Sequence, residues 1–309
     1  MVDILIHQGA VLTADGWYDP GFLAIQDGRI HALGRGEAPE EYLRVAREII
    51  PARNQAVMPG LTNAHTHLSQ VFMRGLAGGK GLMEWLGKVI WPIQKILTPD
   101  DIYLAAKLGL AENIRSGVTN VVNHHKITGT HLHSDRVMQA AGESGVNFRL
   151  ARAWSDLGKN PEAPEEILED LERLFDSWKD HPRLAVDSGP LALWRCSAEL
   201  LQKTHQLARS YGRKTHFHVA ETRDEIQMSQ ERYSVGPVDW LAQIGVLDAE
   251  TELVHVVWVT DAEIDRIAEA GASAIHCPVS NAVLGSGIAP LGKLLAAGVN
   301  LRLGTDGPA

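Results

Sequence analysis

The feature that most constrains the fold is an alternation that begins at Pro59 and continues along the rest of the chain. Short apolar runs of strand length alternate with longer stretches that have helical periodicity, a pattern typical of βα units around a parallel sheet. Candidate strands lie near residues 61–67, 118–124, 147–152, 184–190, 214–219, 252–258, 272–277 and 299–305. Eight such units predict an α/β protein with a (β/α)8 barrel, whose active site lies at the carboxyl ends of the strands.

Residues 1–58 have a different pattern, in which turn residues such as Asp27-Gly28 separate short β segments. These segments are Ile4–Ile6, Ala10–Thr13, Phe22–Gln26 and Arg29–Leu33. We therefore predict two domains, a partial β-sandwich over residues 1–58 and the barrel over residues 59–309. Two helix starts are also predicted, at Thr98-Pro99-Asp100-Asp101 and at the capping box formed by Thr260 and Glu263.

Charge and composition narrow the classes of partner. The 38 acidic residues exceed the 29 basic ones and give a net charge of −9, which disfavours nucleic acid. No apolar run approaches the ~20 residues of a membrane span, and the N-terminus does not resemble a signal peptide. With Cys196 and Cys277 as the only cysteines, we expect a cytoplasmic protein that acts on small molecules. Homo-oligomer formation stays open.

Histidines and acidic residues recur at the predicted strand ends. His65 and His67 are two residues apart, so on a strand both rings point to one face and suit a shared metal. Without further ligands, such a pair is as often two surface or hydrogen-bonded histidines as it is a metal-binding pair. The other strand ends carry His216, His218 and Glu221 on the fifth strand, His255 on the sixth and Asp306 on the eighth. Imidazole and carboxylate ligands suit zinc or ferrous iron.

With these motifs the chain resembles the amidohydrolase superfamily, specifically the branch of cytosine, guanine, 8-oxoguanine, pterin and S-adenosylhomocysteine deaminases and triazine hydrolases. The segments that carry the resemblance are Pro59-Gly60-Leu61, Asn63-Ala64-His65-Thr66-His67, His218-Val219-Ala220-Glu221-Thr222, His276-Cys277-Pro278 with Ser280-Asn281, and Gly304-Thr305-Asp306-Gly307. The resemblance covers nearly the whole chain. It implies a TIM barrel and a metal-dependent hydrolase that acts on carbon–nitrogen bonds of cyclic amidines and releases ammonia from an aromatic heterocycle.

The resemblance also implies roles for individual residues. One divalent metal, zinc or alternatively iron, would be held by four ligands, which are His65, His67, His218 and Asp306. Asp306 would also accept a proton from the attacking water, Glu221 would protonate the ring nitrogen, and His255 would hold the developing intermediate. Three alternatives stay open: His216 in place of His218 as ligand, Glu221 as a helix-start carboxylate, and His255 as a core histidine.

Four further residues are candidate substrate contacts. The carboxamide of Gln70 can bond a heterocycle edge, Trp194 can stack on a flat ring, and Arg195 can bond a carbonyl oxygen. Relatives that deaminate S-adenosylhomocysteine carry a histidine near the position of Leu191, and its absence here favours a free purine-like or pterin-like base. Glu84, however, resembles the carboxylate that nucleoside-accepting relatives use for ribose. A nucleoside deaminase and a triazine chlorohydrolase therefore remain alternatives.

Other interpretations concern the remaining histidines, the chain's end and other classes of function. His124 and His125 are either substrate contacts or structural, and His131 and His133 are predicted to be loop residues. The resemblance implies a further helix and strands after Ala309, so we expect a C-terminal truncation. A non-catalytic metal-binding scaffold would not need Glu221. A phosphate-binding barrel that uses Gly285-Ser286-Gly287 would leave the histidines unexplained.

Overall fold

The computed structural model describes residues 1–76, 78–126 and 132–307. The chain forms two compact units, Met1–Gly60 and Leu61–Ala309. The boundary predicted at residue 58 lies next to this division, although the domain assignments themselves stay predictions. His131 lies outside the described residues.

The first unit is built on a five-stranded sheet in which β2 pairs antiparallel with β1 and β3, and β4 and β5 run parallel to β1. Its elements are β1 (Ile4–Thr13), β2 (Gly16–Gln26), β3 (Arg29–Arg35), α1 (Glu40–Val45), β4 (Glu48–Pro51) and β5 (Ala56–Val57). The predicted turn at Asp27-Gly28 is present, with φ of 51° and 70°.

One strand of this unit differs from the prediction. The segments Ile4–Ile6 and Ala10–Thr13, which were predicted to be separate, belong to the single strand β1. The polar and glycine residues between them form an irregularity in the pairing with β2, where Gln8 has a φ of 62°. A bulge interrupts the apolar pattern without ending the strand.

The second unit contains a parallel sheet of eight strands in chain order. The strands are β6 (Leu61–Thr66), β7 (Val118–Lys126), β8 (Asn147–Trp154), β9 (Leu184–Pro190), β10 (Thr215–Val219), β11 (Thr251–His255), β12 (Ser273–His276) and β13 (Asn300–Leu303). A parallel bridge between Thr66 and Asp306 joins the two ends, and the backbone N–H groups of Thr305 and Asp306 both donate to the carbonyl of His65. The predicted (β/α)8 barrel is confirmed.

Helices separate the strands of the barrel. They are α2 (Leu82–Trp85), α3 (Trp91–Gln94), α4 (Pro99–Arg115), α5 (Leu132–Ser144), α6 (Pro164–Trp178), α7 (Ala198–Ser210), α8 (Arg223–Tyr233), α9 (Pro237–Gln243), α10 (Asp261–Glu269), α11 (Pro278–Val283) and α12 (Leu291–Ala296). Capping boxes at Thr98 and Thr260 begin α4 and α10, as predicted. His133 is buried in α5, so its predicted loop position was wrong.

The core of this unit consists of the apolar side chains between the strands and the helices. Its largest fully buried side chains are Phe148, Trp154, Phe175 and Phe217, each at most 1% exposed. Among the described helices, none is both long enough and apolar enough to cross a membrane. The core thus holds β6 to β13 in fixed register, which places their carboxyl ends around one rim.

Gly304 is required where β13 closes against β6. A methyl group there would lie 2.8 Å from Cβ and 2.9 Å from the carbonyl oxygen of His65. Gly304→Ala is therefore expected to lower the free energy of unfolding by about 1–3 kcal/mol in urea denaturation, because the close backbone must move. Gly292→Ala is the control, since its methyl would meet no atom within 4 Å. An unchanged midpoint for Gly304→Ala would show that the closure tolerates the methyl.

Candidate active site and metal centre

Four side chains meet at the carboxyl end of the barrel. His65 and His67 lie at the end of β6, His218 lies in β10, and Asp306 follows β13. The Nε2 atoms of His67 and His218 are 3.3 Å apart. Asp306 Oδ1 lies 3.2 Å from His65 Nε2 and 3.1 Å from His67 Nε2. The structure thus brings together the four ligands predicted from the sequence.

The second ring nitrogen of two of these histidines faces a backbone carbonyl. His67 Nδ1 lies 2.6 Å from the carbonyl oxygen of His124, and His218 Nδ1 lies 2.6 Å from that of Leu191. A carbonyl oxygen can only accept, so the proton of each neutral ring resides on Nδ1. The Nε2 lone pairs of both rings are then available at the point where the side chains meet.

His65 is oriented differently, by a side chain. Its Nδ1 lies 2.8 Å from Nε2 of His216, and His216 Nδ1 lies 2.9 Å from Oε2 of Glu252. His216 is thus one step removed from the cluster. The alternative in which it replaces His218 as a ligand is disfavoured, because both of its ring nitrogens have other partners.

The donor set fits a divalent metal. His65 Nε2 is buried and makes no hydrogen bond of good geometry. Burial lowers the pKa of His218 to about 3, which keeps this imidazole neutral. Burial acts to raise the pKa of Asp306, but the adjoining rings of His65 and His67 hold it well below its ordinary value. Neutral imidazoles with one carboxylate form a ligand set typical of catalytic zinc.

His124 is a further nitrogen donor at this cluster. It is buried beside His65, His67 and His218, and each of the four offers a ligand atom within 4.8 Å of the others. Its Nε2 lies 3.1 Å from the carbonyl oxygen of Gly189, while its Nδ1 has no hydrogen-bond partner among the residues that the structure describes. His124 therefore lies next to the predicted ligands, and its role as a substrate contact or as a structural residue stays a prediction.

Glu221 and His255 form a second group beside the first. His255 Nε2 lies 3.7 Å from Glu221 Oε2 and 3.9 Å from Asp306 Oδ2. Asn281 Oδ1 lies 2.8 Å from the other ring nitrogen of His255. Ser286 Oγ donates to Glu221 Oε1 at 3.0 Å. Glu221 and His255 are both buried, so neither is an ordinary surface residue.

The electrostatics of these two groups suit proton transfer. Burial raises the pKa of Glu221. For His255, burial alone would lower the pKa, but the negative charges of Glu221 and Asp306 raise it overall. A carboxyl and an imidazole shifted toward their protonated forms can each donate a proton to a bound molecule.

Backbone strain is concentrated at the same place. His255 and Asp306 have φ of 77° and 62°, and Ala220, next to Glu221, has a φ of 55°. Such conformations are uncommon for residues other than glycine and occur frequently at functional sites. Ala220 follows the last residue of β10, His255 is the last residue of β11, and Asp306 lies on the segment after β13, so all three conformations occur where the chain leaves a strand.

An open pocket leads to these groups. Its floor is polar and includes His67, His218, Glu221, His255 and Asp306. Its walls are largely apolar and aromatic, and they include Leu82, Met83, Trp85, Leu86, Ile90, Trp91 and Trp194. A flat, partly apolar molecule with polar edges fits such a pocket.

The predicted substrate contacts divide into two sets. Gln70, Trp194 and Arg195 line the pocket, and within the described part of the chain the buried Gln70 Oε1 has no hydrogen-bond partner. The guanidinium of Arg195 already donates to the carbonyl of Leu157 and the hydroxyl of Ser155, both at 3.0 Å, so it is less available to a ligand. The structure does not bring Glu84 into the pocket. Its carboxylate is 48% exposed and pairs with Lys88 at 2.6 Å.

The comparisons with known proteins agree with this geometry. Residues 56–309 match the model of the amidohydrolase family. The chain belongs to the amidohydrolase family. It is 36% identical over 310 residues to a 5-methylthioadenosine/S-adenosylhomocysteine deaminase of Thermococcus sibiricus. The matched region covers 100% of this chain and 70% of that protein.

Solved structures give the same result for this amidohydrolase. An adenosine deaminase of Xanthomonas campestris with bound zinc superposes with a TM-score of 0.90 at 29% identity, covering 99% of this chain and 69% of the other. A zinc complex of an atrazine chlorohydrolase from Arthrobacter aurescens superposes with a TM-score of 0.90 at 26% identity, covering 98% and 72%. Zinc-bound relatives and the histidine cluster together support a single divalent metal in this amidohydrolase, with zinc as the first candidate.

Sequence reasoning missed several residues of this amidohydrolase's pocket. Trp91 and Lys126 line it, and Glu225 lines it with a carboxylate that accepts from the backbone N–H of Glu221 at 2.9 Å. The spacing of Thr222 and Glu225 at the start of α8 was a usable signal, because it is that of a helix cap. The position of Ser286, on a loop after α11, had no comparable signal.

Proposed function

We propose that this amidohydrolase is a metal-dependent hydrolytic deaminase that releases ammonia from a purine-type heterocycle. One observation carries the proposal. The predicted ligands His65, His67, His218 and Asp306 lie against one another. Three of them, His67, His218 and Asp306, line one pocket together with Glu221, the proposed proton donor. A scaffold protein would need the ligands but not the adjacent Glu221 and His255.

In this proposal His65, His67, His218 and Asp306 hold one divalent metal, zinc or alternatively iron. When bound, such a metal acts as a Lewis acid and lowers the pKa of a coordinated water from 15.7 to about 7. The protein supplies the remaining chemistry. Asp306 accepts a proton from the attacking water through the carboxylate that also faces His255.

Glu221 and His255 act on the heterocycle. The water oxygen adds to the ring carbon that carries the amino group, and Glu221 gives its proton to the neighbouring ring nitrogen. His255, made more basic by the two carboxylates it faces, donates to the oxygen on which negative charge develops. The amino group then takes up the proton that Asp306 had accepted, the carbon–nitrogen bond breaks, and ammonia leaves. The hydroxyl oxygen becomes the ring carbonyl as its proton returns to Glu221, which restores both carboxyl groups to their starting states.

For the substrate we propose the adenine ring of a 5′-modified nucleoside, with a free purine or pterin base as the alternative. The deaminase from Thermococcus sibiricus is named for two adenine nucleosides. The aromatic walls of the pocket suit a purine ring, and the unpaired Gln70 Oε1 can accept from its edge. The structural likeness to the atrazine chlorohydrolase keeps a triazine with chloride as leaving group as a second candidate.

The proposal is tested by ammonia release from a panel of compounds with zinc-loaded protein. We expect release from methylthioadenosine, S-adenosylhomocysteine or 5′-deoxyadenosine, with conversion of the adenine ring to hypoxanthine observed by absorbance. A free base such as adenine, guanine or a pterin should react at least tenfold more slowly. Release from free bases alone would favour the alternative, and chloride release from atrazine without any ammonia release would contradict the deaminase assignment.

We further propose that the partner is the small heterocycle itself and that the protein is cytoplasmic. Cys196 and Cys277 are both free and buried, which is consistent with a reducing compartment.

A further inference from the structure

In the barrel interior, a chain of buried polar side chains leads to the proposed ligand His65, and its other two members have no role in the proposed reaction. The chain runs from Glu252 in β11 through His216 in β10 to His65 in β6. His65 and His216 are fully buried, and Glu252 is 1% exposed. Bulk solvent therefore does not reach these three side chains.

The contacts along this chain are short. Glu252 Oε2 lies 2.9 Å from His216 Nδ1, and His216 Nε2 lies 2.8 Å from His65 Nδ1. The two oxygens of Glu252 accept from Arg149 at 3.0 Å each, and Oε1 also accepts from Arg302 at 2.6 Å. Two guanidinium groups thus keep the Glu252 carboxylate ionised and fixed in orientation.

The direction of each hydrogen bond follows from Glu252. An ionised carboxylate can only accept, so the proton of neutral His216 resides on Nδ1 and leaves a lone pair on Nε2. That lone pair accepts from His65 Nδ1–H, and the lone pair of His65 is then on Nε2. This is the nitrogen that points toward Asp306 at 3.2 Å. Reversing His216 would place a proton on His65 Nε2, where it would block ligation.

His65 differs in this respect from the other two histidine ligands. His67 and His218 are oriented by backbone carbonyls, which have no second tautomer. The orientation of His65 depends on another imidazole, which has two tautomers of its own. A fixed charge is therefore needed at the far end of the chain to select one of them, and Glu252 provides it.

We propose that Glu252 and His216 are positioning residues that hold His65 in the tautomer and orientation that bind the metal. The inference rests on the proposed metal site and deepens it. Loss of such an outer hydrogen-bond partner typically weakens metal affinity by about 10–100-fold. Catalytic steps on the heterocycle are not assigned to either residue.

The test compares two substitutions of His216. His216→Gln keeps an amide oxygen that can accept from His65 and an amide N–H that can donate to Glu252. His216→Met introduces an apolar side chain of similar volume, whose thioether sulfur is a weaker acceptor than the imidazole nitrogen. His205→Met is the matched control, because His205 is also buried and hydrogen-bonded, to Thr215 and Asp248, but lies on α7 outside the cluster.

Zinc affinity is measured by competition with a chromophoric chelator, and the visible spectrum of the cobalt form reports the ligand geometry. Thermal unfolding of the metal-free proteins reports folding. We expect His216→Met to bind zinc about 10–100-fold more weakly and to show an altered cobalt spectrum. His216→Gln should stay within about threefold of wild type. His205→Met should lose thermal stability but keep wild-type zinc affinity.

Wild-type zinc affinity in His216→Met, or an equal loss in His216→Gln, would overturn the proposal. If His216→Met does not fold, Glu252→Gln takes its place. The arginines hold the amide oxygen there, so the amide N–H faces His216 and selects the wrong tautomer. At least a tenfold loss of zinc affinity is then expected, and unchanged affinity would overturn the proposal. A wild-type protein that binds no zinc would instead refute the proposed metal site itself.

Discussion

Glu221→Gln is expected to lower kcat for ammonia release by about 10²–10⁴-fold, the range associated with loss of a positioned proton donor. Glutamine has nearly the same shape and can still accept from Ser286, so the pocket should be preserved. It cannot give a proton to the ring nitrogen. Because Glu221 is not among the proposed ligands, the variant should bind metal as the wild type does. Steady-state kinetics and metal analysis of the same preparations test this.

The control for this variant is Glu231→Gln on the exposed side of α8, where the carboxylate accepts from Gln227. It removes the same charge from the same helix without touching the pocket, so its kcat should equal that of wild type. Wild-type turnover in Glu221→Gln would refute the assignment of the proton donor. Loss of metal from Glu221→Gln would instead make Glu221 a ligand.

His218→Ala is expected to lose bound metal and ammonia release together. The substitution removes one of three imidazoles whose Nε2 atoms meet at the cluster, and it leaves His67 Nε2 without its neighbour at 3.3 Å. Metal content should fall from about one equivalent to a small fraction of it, because the three remaining donors no longer enclose the ion. His31→Ala, an exposed histidine of the N-terminal unit, should keep the metal.

Most of the barrel could be predicted from the sequence because strands such as β8, β9 and β11 are buried on both faces for most of their length. Such strands appear as continuous apolar runs, and the helices between them carry caps with recognisable side chains, as at Thr98 and Thr260. The N-terminal sheet was less predictable. A bulge at Gln8 breaks the pattern of β1 in the same way as a turn would, and sequence alone does not distinguish the two.

The floor of the site was predictable for a related reason. The carboxyl ends of the strands form one rim of the barrel irrespective of loop conformation. The positions of His65, His218 and Asp306 at that rim therefore follow from the barrel alone. Which of His216 and His218 faces the metal was not predictable, since both lie on one face of β10. The position of each histidine along β10 decides which of them faces the metal. That position depends on the register of β10 with β11, in which His216 lies opposite Glu252.

The substrate contacts were the least predictable part. Trp194 and Gln70 line the pocket as expected, but Glu84 faces solvent and pairs with Lys88, and Arg195 is occupied by loop acceptors. These residues lie on loops and short helical turns, whose side-chain directions depend on tertiary contacts rather than on periodicity. Their roles in substrate recognition stay predictions.

The most direct test of the central claim follows zinc content and ammonia release together, as zinc is returned to chelator-treated wild type and His218→Ala. In the wild type, release of ammonia from an adenine nucleoside should rise with bound zinc and reach its plateau at about one equivalent, while His218→Ala should gain neither. Ammonia release by the metal-free protein, or zinc bound stoichiometrically without release from any heterocycle, would contradict the account.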